Sequence, residues 1–197
     1  MLSILVYDAE IRNPIATAKD VKRPGYTYAD GWADFKGMGV SVVGTYSYKK
    51  ERTNDSYRIF NEHELDELQE AFETHELLVG FNNIRFDNRL LEAAGCRIDR
   101  RKVYDIFCEI KAAAKAGTFA KGYALDNVAR ANDIDGKTGS GADAPFLWQD
   151  QKYHEVMTYC KQDIRITVSV LNKIIAGELV DPVKEVILPV RSPVIWA

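Results

Sequence analysis

The chain has 197 residues, 46% of them hydrophobic, and a formal net charge of −3, which is enough apolar content for one good core and makes one domain the natural count. No apolar stretch is long enough to span a bilayer and no basic region precedes the apolar N-terminal run, so a soluble, cytoplasmic protein with no membrane partner is expected. Cys96, Cys108 and Cys160 show no Cys-x-x-Cys spacing, which argues against a disulfide framework and a zinc site, and the slight acidity argues against a broad cationic face of the kind a tightly holding nucleic-acid binder carries.

Leu2 to Tyr7 is short, apolar and partly β-branched, the pattern of a buried strand. Asp8 and Glu10 follow at its end, and residues two apart on an extended chain project from one face. Two carboxylates side by side where a core begins require protonation, a basic partner or a metal ion; the alternative is a strand that runs out into solvent. The segment Ile11 to Lys36 reads as a long irregular connection holding Pro14, Pro24, Gly25, Gly31 and Trp32, and loops of that length are functional or disordered. Val40 to Tyr48 and Tyr57 to Phe60 read as strands joined by the polar turn Lys49 to Asp55.

Asn61 with Glu64 resembles a capping box, and Leu65, Leu68 and Phe72 form an apolar stripe at helical spacing. That helix returns the chain to a strand, Leu77 to Phe81, through what is expected to be a right-handed crossover. The strand breaks at Asn82 and Asn83. A helix from about Asp87 to Ala94 should close at Gly95. Val103 to Phe107 is expected to be a short strand containing Asp105, which is either a fifth acidic neighbour of a site or a hydrogen-bonding anchor. Leu125, Val128 and Ala129 mark a further helix, followed by the glycine-rich loop Gly136 to Gly141. A long helix is expected from about Asp150 to Ala176, ended by Gly177, despite the β-branched cluster Ile164 to Val170. It carries Tyr159 and Asp163, four apart and therefore on one face. The expected organisation is one domain over residues 1–177 and a proline-bearing tail, 178–197, that packs on the domain or on a partner.

The order Asp8-x-Glu10, then Asn82-x-x-x-Phe86-Asp87, then Tyr159-x-x-x-Asp163 resembles the three motifs of the DEDD superfamily of 3′-5′ exonucleases, also called DnaQ-like. Tyr159 fits the tyrosine subclass; the histidine subclass carries His five residues before the last Asp, where this chain has Thr158. The stretch Gly136 to Trp148, GKTGSGADAPFLW, is similar to bacterial and phage members. The resemblance covers residues 1 to about 175 and implies an α/β, RNase H-like fold, a central mixed β-sheet flanked by helices. It also implies hydrolysis of phosphodiester bonds with two divalent cations, Mg²⁺ or Mn²⁺, which suit hard oxygen ligands. By resemblance Asp8 bridges both ions, Glu10 and Asp163 complete the water-activating site, Asp87 holds the second ion largely through water, and Tyr159 orients the nucleophile. Asn82 and Phe86 look like supports for substrate and site; Phe86 reads equally well as a core residue.

Two phosphate-binding patterns fail. Gly136, Lys137 and Thr138 imitate the end of a P-loop, but Ala131 stands where its first glycine belongs; Gly37 and Gly39 could open a dinucleotide fingerprint, but Val42 replaces its third glycine. Basic residues that could reach substrate are Lys19, Lys22 and Arg23, the run Arg97, Arg100, Arg101 and Lys102, and Lys111, Lys115, Lys121 and Lys137, with Lys137 the favoured one. The expected activity is 3′-5′ exonuclease action on the 3′ end of single-stranded DNA, releasing nucleoside 5′-monophosphates, in the company of a replication or repair partner. The alternatives are an exoribonuclease on the same fold and a non-catalytic RNase H-like module that binds nucleic acid or a polymerase.

Overall fold

Alternation along the first strand sets the architecture. In the computed structural model, which describes residues 2–16, 22–48, 56–117, 120–136 and 141–193, strand β1 is Ile4–Ile11. Its odd residues Leu5, Tyr7, Ala9 and Ile11 enter one apolar cluster and its even residues Ile4 and Val6 enter another. A sheet buried on both faces needs helices on both, and the chain supplies them.

After β1 come helix α1 (Phe35–Met38), strands β2 (Val40–Tyr48) and β3 (Ser56–Asn61), helix α2 (Leu65–Thr74), strand β4 (Leu77–Gly80) and helix α3 (Asp87–Ala93). A 3-10 turn, Arg100–Lys102, leads to strand β5 (Val103–Asp105), and helices α4 (Ile106–Ala114), α5 (Leu125–Ala131), α6 (Ala144–Gln149) and α7 (Tyr153–Ala176) complete the order. The five-stranded sheet runs β3-β2-β1-β4-β5. β1 pairs antiparallel with β2 and parallel with β4, so the sheet is mixed. Leu68 and Phe72 of α2 and Leu90 and Leu91 of α3 pack on the odd face of β1; Ile110 of α4, Val128 of α5 and Ile164 to Leu171 of α7 pack on the even face.

Several elements differ from the sequence reading for identifiable reasons. β1 does not end at Tyr7, because β2 continues to pair with it, Asp8 opposite Gly44 and Glu10 opposite Val42. β5 stops at Asp105 and not at Phe107: the Asp105 carboxylate accepts the Cys108 N–H at 3.1 Å and so caps α4. α7 begins at Tyr153 and not near Asp150, because Gln151 sits at φ 62 and the Lys152 N–H closes the preceding helix on the Leu147 carbonyl at 2.8 Å. The β-branched cluster in α7 is buried almost throughout, so packing overrides its weak propensity. Gly177 ends α7 at φ 70. Half of the capping box forms: the Asn61 N–H donates to Glu64 at 2.9 Å, while Asn61 Oδ1 accepts from His63.

Residues after α7 fold back on the domain. Leu179 and Leu188 join the even-face core, Val180 and Ile187 form an antiparallel bridge, and the Tyr104 hydroxyl donates to the Arg191 carbonyl at 2.5 Å. The turn Lys49 to Asp55, the end of the tail, Lys19, Lys137 and most of the glycine-rich loop lie outside the described residues.

Candidate active site

The even face of β1 is apolar at Ile4 and Val6 and turns acidic at Asp8 and Glu10. Glu10 is buried and Asp8 half-buried. α7 comes close to the sheet there because β2 carries Gly44 opposite Asp8: a Cβ on Gly44 would sit 2.8 Å from Cys160 Sγ and 3.0 Å from Ile164 Cγ1. That approach brings the face of α7 bearing Tyr159, Cys160 and Asp163 onto the acidic end of β1. Ligand atoms of Asp8, Glu10 and Cys160 lie within 4.8 Å of one another.

Asp87 arrives from the odd-face layer by a different route. β4 pairs with β1 only as far as Val6, which leaves the next stretch of that β1 edge without a strand partner. Asp87, the first residue of α3, fills part of that edge, its Oδ1 accepting the Ala9 N–H at 2.9 Å. The chain turns from β4 to α3 in six residues, and this turn depends on Gly80 and Asn82. A Cβ on Gly80 would meet the Asn83 side chain at 2.7 Å, and Asn82 adopts φ 64, a left-handed conformation that Asn tolerates better than most residues. Asp105 holds the turn, accepting the Asn82 and Ile84 N–H groups at 3.0 Å each. Asp105 therefore serves as the hydrogen-bonding anchor, and it is not among the residues lining the cleft.

A cleft of about 560 Å³ is lined by Asp8, Glu10, Asp87, Tyr159 and Asp163. Asn82 and Phe86 line it too; Phe86 also packs on the odd-face core and makes an edge contact with Phe35 at 5.9 Å. Burial raises the Asp87 carboxyl to about 7, and the Asp105 and Asp163 charges push in the same direction against the stabilising N–H groups. The Cys160 thiol is raised well above its ordinary value, first by burial and then by the Asp8 and Glu10 charges. With no cation at hand the thiol therefore stays protonated. Tyr159 has room because of Gly141, where a Cβ would lie 3.2 Å from the phenol oxygen.

The basic run after α3 plays no part in this cleft. Arg97 pairs with Glu73, Arg100 with Glu92 and Arg101 with Asp99, and Lys102 caps the carbonyls of Glu73 and His75. Arg23, one of the basic residues named from the sequence as able to reach substrate, lines the cleft, whereas sequence reasoning missed Tyr28 and Trp32 of the same connection and Phe146 of α6. Trp32 was visible there among Tyr26, Tyr28 and Phe35, but no local spacing ties it to the carboxylates.

A comparison with curated proteins finds no match. No helix among the described residues is long and apolar enough to cross a membrane. A family model described as the RNase H superfamily matches residues 29–175, a range that includes Asp87, Tyr159 and Asp163 and begins after Asp8 and Glu10. That fold implies nucleic-acid binding and hydrolysis of the nuclease type, generally with divalent metal ions. With this match over most of its length and a mixed five-stranded sheet flanked by helices, the chain belongs to the RNase H superfamily.

Proposed function

We propose that the protein is a 3′-5′ exonuclease that removes nucleoside 5′-monophosphates from single-stranded DNA with the help of two divalent cations, Mg²⁺ or Mn²⁺. The observation that carries this reading is the convergence of Asp8, Glu10, Asp87 and Asp163 with Tyr159 in one cleft. Four carboxylates from β1, α3 and α7 have no purpose in a core, where each costs desolvation. Asp87 is raised to about 7, first by burial and then by the charges of Asp105 and Asp163, so its ionised form is disfavoured there, and a cation would favour it. The four carboxylates that line the cleft offer hard oxygen donors, which suit Mg²⁺ or Mn²⁺ better than a softer metal.

Asp8, Glu10, Asp87 and Asp163 would hold the cations. When bound, the cations lower the pKa of a water and offset charge developing on the phosphate and the departing oxygen. The Tyr159 hydroxyl orients the attacking water by hydrogen bonding; with an ordinary pKa of about 10, a phenol is a poor general base at neutral pH. The water gives up one proton to solvent and its oxygen bonds to phosphorus as the bond from phosphorus to the 3′ oxygen breaks. The 3′ oxygen leaves with the electron pair and takes a proton from solvent, and the phosphate stays on the released 5′-nucleotide.

The reading is tested with a panel of single- and double-stranded DNA and RNA substrates, incubated with Mg²⁺, Mn²⁺ or EDTA. Single-stranded DNA should be cut by the wild-type chain only when cation is present, and purified, folded Asp8→Ala should be inactive. Faster turnover of RNA would reassign the enzyme as an exoribonuclease. No metal-dependent cleavage of any substrate would sink the enzymatic reading and leave a binding module.

A further inference from the structure

The connection between β1 and α1 is fastened at both ends of its described part. Gln149, at the end of α6, donates from Nε2 to the Thr27 carbonyl at 2.8 Å and to the Arg12 carbonyl at 3.3 Å, while its Oε1 accepts the Thr27 N–H at 2.8 Å. The Tyr26 hydroxyl donates to Asp150 at 2.7 Å. The Phe146 ring takes the edges of Tyr26 and Tyr28 at 5.1 and 6.1 Å, and the Arg23 guanidinium lies over it at 4.3 Å. Trp32 sits on a turn closed by one carboxylate: Asp34 accepts the Asp30 N–H through Oδ2 and the Gly37 N–H through Oδ1, with Gly31 at φ 92. The indole is nevertheless 66% exposed, and it lines the same cleft as the carboxylates.

An exposed tryptophan on a braced turn has forfeited the burial that normally holds such a ring. It is presented, at low cost in conformational entropy, to something that arrives. The arriving group must be flat and apolar on its faces to use the indole. It must also carry negative charge to use Arg23, which ion-pairs with no carboxylate among the described residues. A nucleotide has both properties. Its base must be unpaired, because a base within a duplex has both faces covered by its neighbours, and stacking on aromatic side chains is how proteins hold single strands without reading sequence.

We propose that residues 22–34 and α6 form a nucleotide subsite beside the carboxylates, in which Trp32 stacks on an unpaired base near the 3′ end and Arg23 contacts the backbone phosphate. The proposal rests on the nuclease reading for the direction of the strand, and it accounts for a preference for single-stranded ends. Strand binding here depends on this wall and not on the basic run after α3.

The test is fluorescence anisotropy with a labelled oligothymidylate, in EDTA and in Ca²⁺, using the full chain. Trp32→Ala should weaken binding about five- to a hundredfold, the span measured for removal of one stacking platform, with Trp32→Phe retaining most of the affinity and an unchanged melting temperature for both. Abasic sites at the 3′-terminal positions should weaken wild-type binding by a similar factor and add little to the loss in Trp32→Ala. In Mg²⁺, Trp32→Ala should raise KM much more than it lowers kcat. No wild-type binding in either buffer, equal affinity of Trp32→Ala and wild type, or fully additive losses would overturn the subsite. Trp32-dependent binding in a chain that cleaves nothing would leave the subsite standing and remove the nuclease reading; cleavage indifferent to Trp32 would do the reverse.

Discussion

Replacing Asp87 by asparagine should stabilise the metal-free protein above neutral pH and remove most of the pH dependence of its stability between about pH 4 and pH 7. Asp87 has an ordinary pKa of 3.8 and is raised to about 7 in the fold, first by burial. Between those values the native state binds a proton that the unfolded chain has released, so the free energy of unfolding falls as pH rises through the window and levels off above it. At about 1.4 kcal/mol per pH unit, a rise from 3.8 to about 7 corresponds to at most about 4 kcal/mol. Charge shared with Asp105 and Asp163 reduces the part that one substitution recovers. For a chain of this size each kcal/mol moves Tm by about 2 to 4 °C, so a gain of several degrees is expected at about pH 8. Asparagine keeps the oxygen that accepts the Ala9 N–H at 2.9 Å. The assay is a series of thermal melts in EDTA from about pH 4.5 to about pH 8.5, repeated with Mn²⁺. Cation should raise the Tm of the wild-type chain at the alkaline end more than that of the variant. A wild-type Tm that does not fall across the window in EDTA, or a variant with the same slope, would refute the reasoning.

Tyr159→Phe keeps the ring and removes only the hydroxyl, so kcat should fall by roughly one to three orders of magnitude with little change in substrate affinity; an unchanged rate would reduce Tyr159 to packing. Gly44→Ala forces a Cβ against Cys160 and Ile164 at 2.8 and 3.0 Å, and should cost about 1 to 3 kcal/mol in denaturant unfolding as α7 is pushed off the sheet. Asp105→Ala leaves the N–H groups of Asn82, Ile84 and Cys108 without their acceptor and should cost about 2 to 4 kcal/mol, yet retain cleavage at low temperature, unlike a variant of a cleft carboxylate.

The sequence made the pairs Asp8 with Glu10 and Tyr159 with Asp163 legible because their relations are local, while Asp87 was assigned only through the resemblance of its motif. Two residues along a strand or four along a helix determine a face whatever the rest of the chain does. The same holds for the sheet strands, whose apolar runs are short and bounded by polar turns. Short helices were harder. α4 is signalled by Asp105 followed three residues on by Cys108, a side-chain cap that a strand reading of Val103 to Phe107 conceals, and α6 by Pro145 in its first turn. The wall around Trp32 was legible only as a long connection carrying Arg23, and its packing was not, since Gln149 and Tyr26 reach partners more than a hundred residues away in sequence. The run from Arg97 to Lys102 misled in the opposite sense: its charges face carboxylates and carbonyls of its own surface. Lys137, the basic residue favoured for substrate contact, lies outside the described residues.

The measurement that bears most directly on the proposed activity is the direction of digestion on matched linear and circular single-stranded DNA, with the linear strand labelled at its 5′ end. The account predicts a ladder that shortens from the 3′ end and releases nucleoside 5′-monophosphates, with EDTA stopping it, Mg²⁺ or Mn²⁺ restoring it, a 3′-terminal phosphate blocking it and the circle left intact. Cleavage of the circle, or immediate loss of the 5′ label as a mononucleotide, would contradict it.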